Sequence, residues 1–268
     1  MDYSKVKLVV TDMDGTLLNS HHEVSDRFFK LFPALAEKGI HFVAASGRQY
    51  DSIVDKLDAI KEDITIVADN GAIGKQGEEV LFTNGLRAEQ IKASILAARK
   101  IKNPRLILCG MKCAYVESKD EEFIATFSQF FSNFTVVDDL TKVTDDVLFK
   151  LAIHDKECSE KNILPFVKHF APELQVVVSG KNWLDISHVD TNKGKALRFL
   201  QDKMGISKEE TMVFGDYNND LEMLALADFS YAMKNAHPDV KEIANFETLS
   251  NDDRGVDHVL EKLIRNTK

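Results

Sequence analysis

Short apolar runs alternate with helical patterns in the first part of the chain. The run KVKLVVTD (5–12) is rich in valine and leucine and stops at an Asp-Gly turn, which predicts a strand buried on both faces. Apolar residues at helical spacing follow Ser25, which predicts a helix capped by that serine. The strand patterns IHFVAASG and DITIVAD then flank the helical pattern YDSIVDKLDAI. The alternation predicts a doubly wound, Rossmann-like parallel sheet of the α/β class.

The alternation of strand and helix patterns stops near residue 70, where NGAIGKQGEEVLFTNG is typical of a hairpin with glycines at its bends. Helical and strand patterns then mix in an order that does not alternate regularly. The helical patterns are AEQIKASILAARKI, DEEFIATFSQFF and KNILPFVKHFA, and the strand patterns are RLILCG, CAYVES, LFKLAIH, LQVVVSG and WLDISHV. Such a mixture predicts an inserted α+β domain with a largely antiparallel sheet, over residues 85–189.

From Lys193 onwards, helical and strand patterns alternate again. The helical patterns are KGKALRFLQDKMG, NNDLEMLALA, HPDVKEIA and GVDHVLEKLIRN, and the strand patterns are TMVFGD and DFSYAM. Residues 1–84 and 190–268 are therefore predicted to form one core domain.

Composition narrows the class of protein. With 268 residues, 44% of them hydrophobic and 29% charged, the chain can bury a large core. The net charge of −9 argues against nucleic acid or an anionic membrane as partner. No run approaches the about 20 apolar residues of a membrane span, so we expect a cytoplasmic protein. Cys109, Cys113 and Cys158 lack zinc-site spacing and are expected to be reduced thiols.

Two acids stand at the end of the first strand pattern, in VVTDMDG. Residues two apart on an extended segment point to the same side, so Asp12 and Asp14 are expected to share one site. Like charges this close favour a bound cation such as Mg²⁺, or protonation of one acid, which then becomes a proton donor. A purely structural interpretation also stays open at this point, because an Asp-Gly pair forms ordinary turns.

Other strand ends carry further polar residues. VFGDYNNDLEM places Asp216 and Asp220 after an apolar run, and VAASGR places the Ser46 hydroxyl before a helix start that can bind phosphate. Lys193 lies at the start of a helix, whose positive end disfavours a cation unless an anion is near. An anion is thereby indicated, whereas Lys195 is expected to point to solvent.

Together the segments DMDGT, SGR, KG and GDYNND resemble, in their order, the motifs of the haloacid dehalogenase superfamily of phosphohydrolases. ADNGA, MKNA (233–236) and NDDRGV (251–256) are similar to the subgroup called Cof-type phosphatases. The insertion between SGR and KG resembles the α+β cap of that subgroup. The resemblance therefore covers most of the chain.

The resemblance implies a role for each motif residue. Asp12 would be the nucleophile that takes the phosphoryl group, and Asp14 the general acid and then base. The residues implied to bind the substrate phosphate are Ser46, Gly47, Lys193 and Asn219. Those implied for the Mg²⁺ site are Asp12, Asp14 through its backbone carbonyl, Asp216, and Asp220, which would orient Lys193 or a metal-bound water.

These observations predict a Mg²⁺-dependent phosphatase of small phosphate monoesters, such as sugar phosphates, acting through an aspartyl phosphate. Two alternatives are a phosphoryl-transfer mutase and a binding protein for phosphorylated metabolites without turnover. Trp183 is expected to serve packing rather than ligand stacking. For His188 a structural hydrogen bond and a substrate contact both remain open.

Overall fold

The computed structural model describes residues 3–128, 131 and 133–266. The chain divides into two compact units. One unit comprises Met1–Gly47, Ile53–Leu81 and Asn192–Lys268, and the other comprises Arg48–Ser52 and Phe82–Thr191. The second unit is thus inserted in the sequence of the first.

Strands and helices are numbered in chain order. The strands are β1 (Leu8–Asp12), β2 (His41–Ala45), β3 (Thr65–Ala68), β4 (Ile73–Gln76), β5 (Glu79–Thr83), β6 (Arg105–Gly110), β7 (Ala114–Val116), β8 (Phe134–Val136), β9 (Leu148–His154), β10 (Leu174–Gly180), β11 (Trp183–His188), β12 (Thr211–Gly215), β13 (Phe229–Ala232) and β14 (Phe246–Glu247). The helices are α1 (Asp26–Glu37), α2 (Tyr50–Leu57), α3 (Ala88–Ala98), α4 (Glu121–Phe127), α5 (Ser159–Asn162), α6 (Leu164–Val167), α7 (Lys193–Met204), α8 (Leu221–Leu224), α9 (Pro238–Ile243) and α10 (Gly255–Asn266).

The sheet of the first unit has the order β14-β13-β12-β1-β2-β3-β4-β5. From β14 to β3 all neighbours are parallel, and β4 joins antiparallel to β3 as part of the predicted hairpin. Every residue of β1 and of β12 is buried, so the prediction that the first strand is buried on both faces is confirmed. Ser25 Oγ accepts a hydrogen bond of 3.0 Å from the Phe28 backbone, so the predicted cap of α1 is confirmed.

The sheet of the second unit has the order β10-β11-β9-β6-β7-β8. Its pairs are antiparallel except β7 with β8, which are parallel. Because side chains alternate along a strand, β6 supplies two apolar clusters: Leu106 and Leu108 join one, Ile107 and Cys109 the other. The predicted α/β fold with a largely antiparallel second sheet is confirmed.

Several helices are shorter than predicted, and two of the predicted helices are interrupted most clearly. The pattern KNILPFVKHFA was expected to be one helix, but α5 ends at Asn162 and α6 starts at Leu164. Pro165 has no backbone N–H and its ring clashes with the carbonyl four residues earlier, which disfavours one continuous helix here. NNDLEMLALA likewise gives a 3₁₀ turn followed by α8 alone. The predicted end of DEEFIATFSQFF includes Gln129 and Phe130, which lie outside the described residues.

Two short strands, β8 and β14, were not predicted. Each has three residues or fewer, which is too short to show a periodic pattern. Among the described residues no helix has the length and apolar character that a membrane crossing requires.

Candidate active site

Three neighbouring strands bring the predicted site residues to one edge of the first sheet. β1 runs parallel between β12 and β2, with Thr11 opposite Phe214 and Asp12 opposite Ala45. Ser46 follows β2 directly, so it lies next to Asp12, the last residue of β1. In open α/β sheets ligands bind at this carboxyl edge, and the polar residues are therefore placed where chemistry is expected.

Lys193 forms the centre of a buried ionic cluster. It is the first residue of α7 and only 1% exposed, whereas Lys195 is exposed. Its Nζ donates hydrogen bonds to the Asp12 carboxylate and, at 2.7 Å, to Asp220 Oδ1. A charged ammonium group this deeply buried is retained only when it is paired, and here two carboxylates pair with it.

Asp220 is fully buried and links Lys193 to the turn after β12. While Oδ1 accepts from Lys193, Oδ2 accepts from the backbone N–H groups of Asp216 at 2.9 Å and Tyr217 at 3.1 Å. Both oxygens of Asp220 are thus already engaged by protein donors. The residue fixes the position of the lysine and of the turn that carries Asp216.

The charges of the cluster do not balance. Burial raises the pKa of Asp12 well above its ordinary value, and the charges of Asp220 and Asp216 add to the rise that Lys193 opposes. Burial, followed by the charge of Asp220, raises the pKa of Asp216 to about 6. Burial lowers the pKa of Lys193, but attraction to Asp12 and Asp220 outweighs it and the net shift is upward. The three carboxylates that lie close together thus have one ammonium group to offset their charge, and it pairs with two of them.

A divalent cation fits this imbalance. Oxygen atoms of Asp12, Asp216 and Asp220 lie within 4.8 Å of one another. The atoms available as metal ligands are all carboxylate oxygens, which hard cations such as Mg²⁺ prefer. A charge of +2 among them would favour the ionised forms of Asp12 and Asp216, whose pKa values are raised by burial and by the neighbouring carboxylates. Because Asp220 is engaged elsewhere, Asp12 and Asp216 are the carboxylates best able to hold a metal.

The turn after β1 packs directly on Asp216. Gly15 has a left-handed backbone with φ of 76°, and a Cβ atom at this position would overlap the Asp216 carboxylate. Next to it, Thr16 Oγ1 donates a hydrogen bond of 3.1 Å to Asp216 Oδ1. Sequence reasoning missed Thr16, although DMDGT contains it, because its partner lies 200 positions away in the chain.

Asp14 lies outside the buried cluster. Its side chain is 43% exposed, and its Oδ1 is 3.3 Å from His22 Nδ1. The shared site expected for Asp12 and Asp14 thus has one buried carboxylate and one accessible carboxylate. An accessible acid can exchange protons with water, which the buried Asp12 cannot do readily.

Asn70 contacts residues that were predicted to bind the substrate phosphate. Its backbone N–H donates to the Ser46 carbonyl at 2.9 Å, and its Oδ1 accepts from Asn219 Nδ2 at 3.0 Å. A Cβ atom on Gly47 would lie 3.2 Å from the Asn70 side-chain amide, so a larger residue would push that amide away. The structure therefore brings Ser46, Gly47 and Asn219 together around Asn70. The motif ADNGA, which contains Asn70, carries part of the family resemblance, but that resemblance did not predict these contacts of Asn70.

Comparisons with known proteins agree with this geometry. A family model described as haloacid dehalogenase-like hydrolase matches residues 9–260. The chain belongs to this family. The 5-amino-6-(5-phospho-D-ribitylamino)uracil phosphatase YbjI of Escherichia coli strain K12 is 30% identical over 267 residues, which cover 97% of each chain.

Solved structures extend the match to the whole fold of the hydrolase. TM0651 from Thermotoga maritima has a TM-score of 0.87 and 32% identity, over 96% of this chain and 97% of that one. The haloacid dehalogenase subclass IIB sugar phosphatase BT4131 has a TM-score of 0.79 and 25% identity, over 96% and 98%. The Cof-type resemblance is confirmed, and the protein is an enzyme of the phosphatase class.

Trp183 and His188, in the second unit, are the two residues for which a ligand contact was considered from the sequence. The Trp183 ring lies 4.6 Å from the His154 ring and packs against an apolar cluster of the same unit, as the packing interpretation expects. His188 Nδ1 accepts a hydrogen bond of 3.2 Å from the Asp190 backbone, which is a structural contact. Both side chains of the hydrolase thus have contacts within their own unit.

Proposed function

We propose that this hydrolase is a Mg²⁺-dependent phosphatase that cleaves small phosphate monoesters, of sugars or similar metabolites, through an aspartyl phosphate on Asp12. The observation that carries the proposal is the buried contact between Lys193 Nζ and Asp12, beside Asp216. A carboxylate nucleophile, a fixed positive charge and a cation-binding acid meet at one strand end. In this proposal residues 85–189 form the cap domain and the enzyme acts in the cytoplasm.

The reaction divides into two displacements at phosphorus. A carboxylate oxygen of Asp12 attacks, the bond from phosphorus to the leaving oxygen breaks, and Asp14 gives that oxygen its proton. Asp14 then takes a proton from a water molecule whose oxygen attacks the aspartyl phosphate. The second displacement releases inorganic phosphate and restores both carboxyl groups.

Positioning and positive charge supply most of the catalysis, because the transferring group spreads its negative charge over the outer oxygens. Lys193 would place its ammonium against these oxygens, and Asp220 would keep it there. Ser46 and Gly47 would offer donors from the hydroxyl and the main chain. Asn219 would add its side-chain amide. When bound by Asp12, Asp216 and the Asp14 carbonyl, Mg²⁺ supplies further positive charge to the phosphoryl group.

The substrate class is supported by the names of two relatives. YbjI is a phosphatase of a phospho-D-ribitylamino compound, and BT4131 is a sugar phosphatase. Both names describe phosphate esters of small polyhydroxylated compounds. The test is a panel of phosphorylated metabolites with purified protein and Mg²⁺, read as phosphate released in the absence of any acceptor. A mutase would transfer phosphate only to an added acceptor, and a binding protein would release none, so either result would refute the proposal.

Removal of divalent metal should abolish turnover. We expect EDTA to lower the rate by at least about 100-fold and excess Mg²⁺ to restore it, because the cation neutralises charge in the transition state. Ca²⁺ should restore less than about a tenth of the rate, since its larger and looser coordination misplaces the phosphoryl group. Initial rates of phosphate release with each metal give the answer. Full activity in EDTA would exclude the proposed mechanism.

Replacement of Asp14 by asparagine should impair leaving-group protonation. For alkyl phosphates we expect kcat to fall roughly 100- to 10,000-fold, the usual contribution of a general acid. The loss should be smaller for p-nitrophenyl phosphate, whose leaving group needs no proton. Because the Asp14 side chain is 43% exposed, the variant should remain folded, which circular dichroism checks. Equal losses for both substrates would count against the acid role.

A further inference from the structure

The motif MKNA places Asn235 beside the turn that carries Asp14, and the reaction scheme gives it no role. Asn235 Nδ2 donates a hydrogen bond of 2.8 Å to the Gly15 carbonyl, across 220 positions of sequence. Its Oδ1 accepts from the Asn251 backbone at 3.1 Å. One side chain thus joins the turn after β1 to the loop after β14.

The far end of the same turn is held by Asn251. Its Nδ2 donates a hydrogen bond of 2.9 Å to the Leu18 carbonyl. Between these two anchors, Thr16 Oγ1 reaches Asp216. The turn from Gly15 to Leu18 is therefore fixed at both ends by asparagine side chains and in the middle by a hydroxyl group.

The segment that carries Asn235 is itself fixed to the turn after β12. The Met233 backbone N–H donates to the Gly215 carbonyl at 3.1 Å, and that of His237 donates to the Asp216 carbonyl at 2.8 Å. Asn235 projects from this segment, so its bond to Gly15 is a second link between the β1 turn and the β12 turn, besides that of Thr16 to Asp216. These turns hold Asp14 and Asp216.

We propose that Asn235 is a positioning residue that holds Asp14 in place for proton transfer. Asn235 binds the carbonyl of Gly15, the residue that follows Asp14, and the half-exposed Asp14 side chain has its Oδ1 3.3 Å from His22 Nδ1. Backbone hydrogen bonds from Thr16 and Leu18 to the Met13 carbonyl close the turn, and the bond from Asn235 adds an anchor at Gly15, whose backbone can adopt a wide range of angles. The inference deepens the proposed function and rests on it for the role of Asp14.

Asn235 is exposed, so its two hydrogen bonds contribute little to folding and its replacement should give a folded protein. In Asn235→Ala we expect kcat for alkyl phosphates to fall roughly 10- to 100-fold, part of the full effect of a general acid. For p-nitrophenyl phosphate the fall should be only a few-fold. Asn235→Asp keeps the shape but turns a donor into a carboxylate oxygen facing the Gly15 carbonyl, and it should be at least as impaired.

Asn245→Ala is the matched control. Asn245 Nδ2 also donates to a main-chain carbonyl, that of Asp228 at 3.0 Å, which directly precedes β13 and is not part of the β1 turn. This variant should stay within about twofold of wild type for both substrates. A loss in Asn235→Ala that is equal for both leaving groups, or an Asn235→Asp variant as active as wild type, would overturn the inference.

Hydrogen exchange provides a readout that does not depend on activity. Amides of residues 13–20 should exchange at least about tenfold faster in Asn235→Ala than in wild type, and those of β12 should not change. Unchanged exchange over residues 13–20 would overturn the positioning role even in an active enzyme. An inactive wild-type protein would refute the proposed phosphatase function, which separates the two failures.

Discussion

Asp12→Asn should fold normally and lose at least roughly 1,000-fold in kcat, because an amide is a poor nucleophile and the attacking group cannot be supplied by a neighbour. The geometry predicts that little else changes. The amide oxygen can still accept the hydrogen bond from Lys193, which also keeps Asp220 as a partner. Circular dichroism and the thermal midpoint should therefore match wild type within a few degrees.

Metal-free Asp12→Asn should be at least as stable as metal-free wild type. The substitution removes one of three carboxylates whose burial, followed by their mutual repulsion, raises the pKa values of Asp12 and Asp216. Thermal unfolding in EDTA measures this directly. Asp202→Asn, on the exposed side of α7, provides the surface control and should change neither activity nor stability.

A covalent label gives the sharpest test of Asp12. Acid quenching of wild type during turnover should leave phosphate on the peptide that contains Asp12, and mass spectrometry should find none in Asp12→Asn. Activity within tenfold of wild type in this variant would refute the nucleophile assignment. Phosphate on any other aspartate would do so as well.

The sequence predicted the placement of the site because that placement depends on local patterns. An apolar run that stops at Asp12, and another that stops at Gly215, define strand ends, and parallel strands bring their carboxyl ends to one edge. The cap formed by Ser25 follows from backbone chemistry within a few residues. These features need no knowledge of distant contacts.

Contacts between distant segments could not be predicted in the same way. Nothing in the local sequence of Thr16 indicates Asp216, and nothing near Asn235 indicates Gly15. Such pairs are fixed by strand order and loop geometry, which the pattern of apolar residues does not specify. The prediction of one helix around Pro165 was wrong for another reason, since the apolar spacing favoured a continuous helix that the proline disfavours.

Lys193→Ala should lower kcat/KM by roughly 100- to 1,000-fold or more, the cost of losing a preorganised charge in the transition state. Side chains two apart on a helix point about 200° from each other, so only one of Lys193 and Lys195 can enter the cluster. The structure places Lys193 Nζ between Asp12 and Asp220 and leaves Lys195 exposed. Lys195→Ala should therefore stay within about twofold of wild type.

Loss of the buried ammonium also affects folding, and the experiment must separate that from chemistry. Without Lys193, the carboxylates of Asp12 and Asp220 remain buried without their cation, which costs on the order of 3–5 kcal/mol. Mg²⁺ should recover part of this stability because it restores positive charge beside the acids. Lys193→Met keeps the volume of the side chain and provides a second charge-free variant. If both Lys193 variants bind Mg²⁺, melt well above the assay temperature and still turn over at the wild-type rate, Lys193 has no catalytic role. A greater loss of kcat/KM in Lys195→Ala than in Lys193→Ala would place the reactive lysine two residues later.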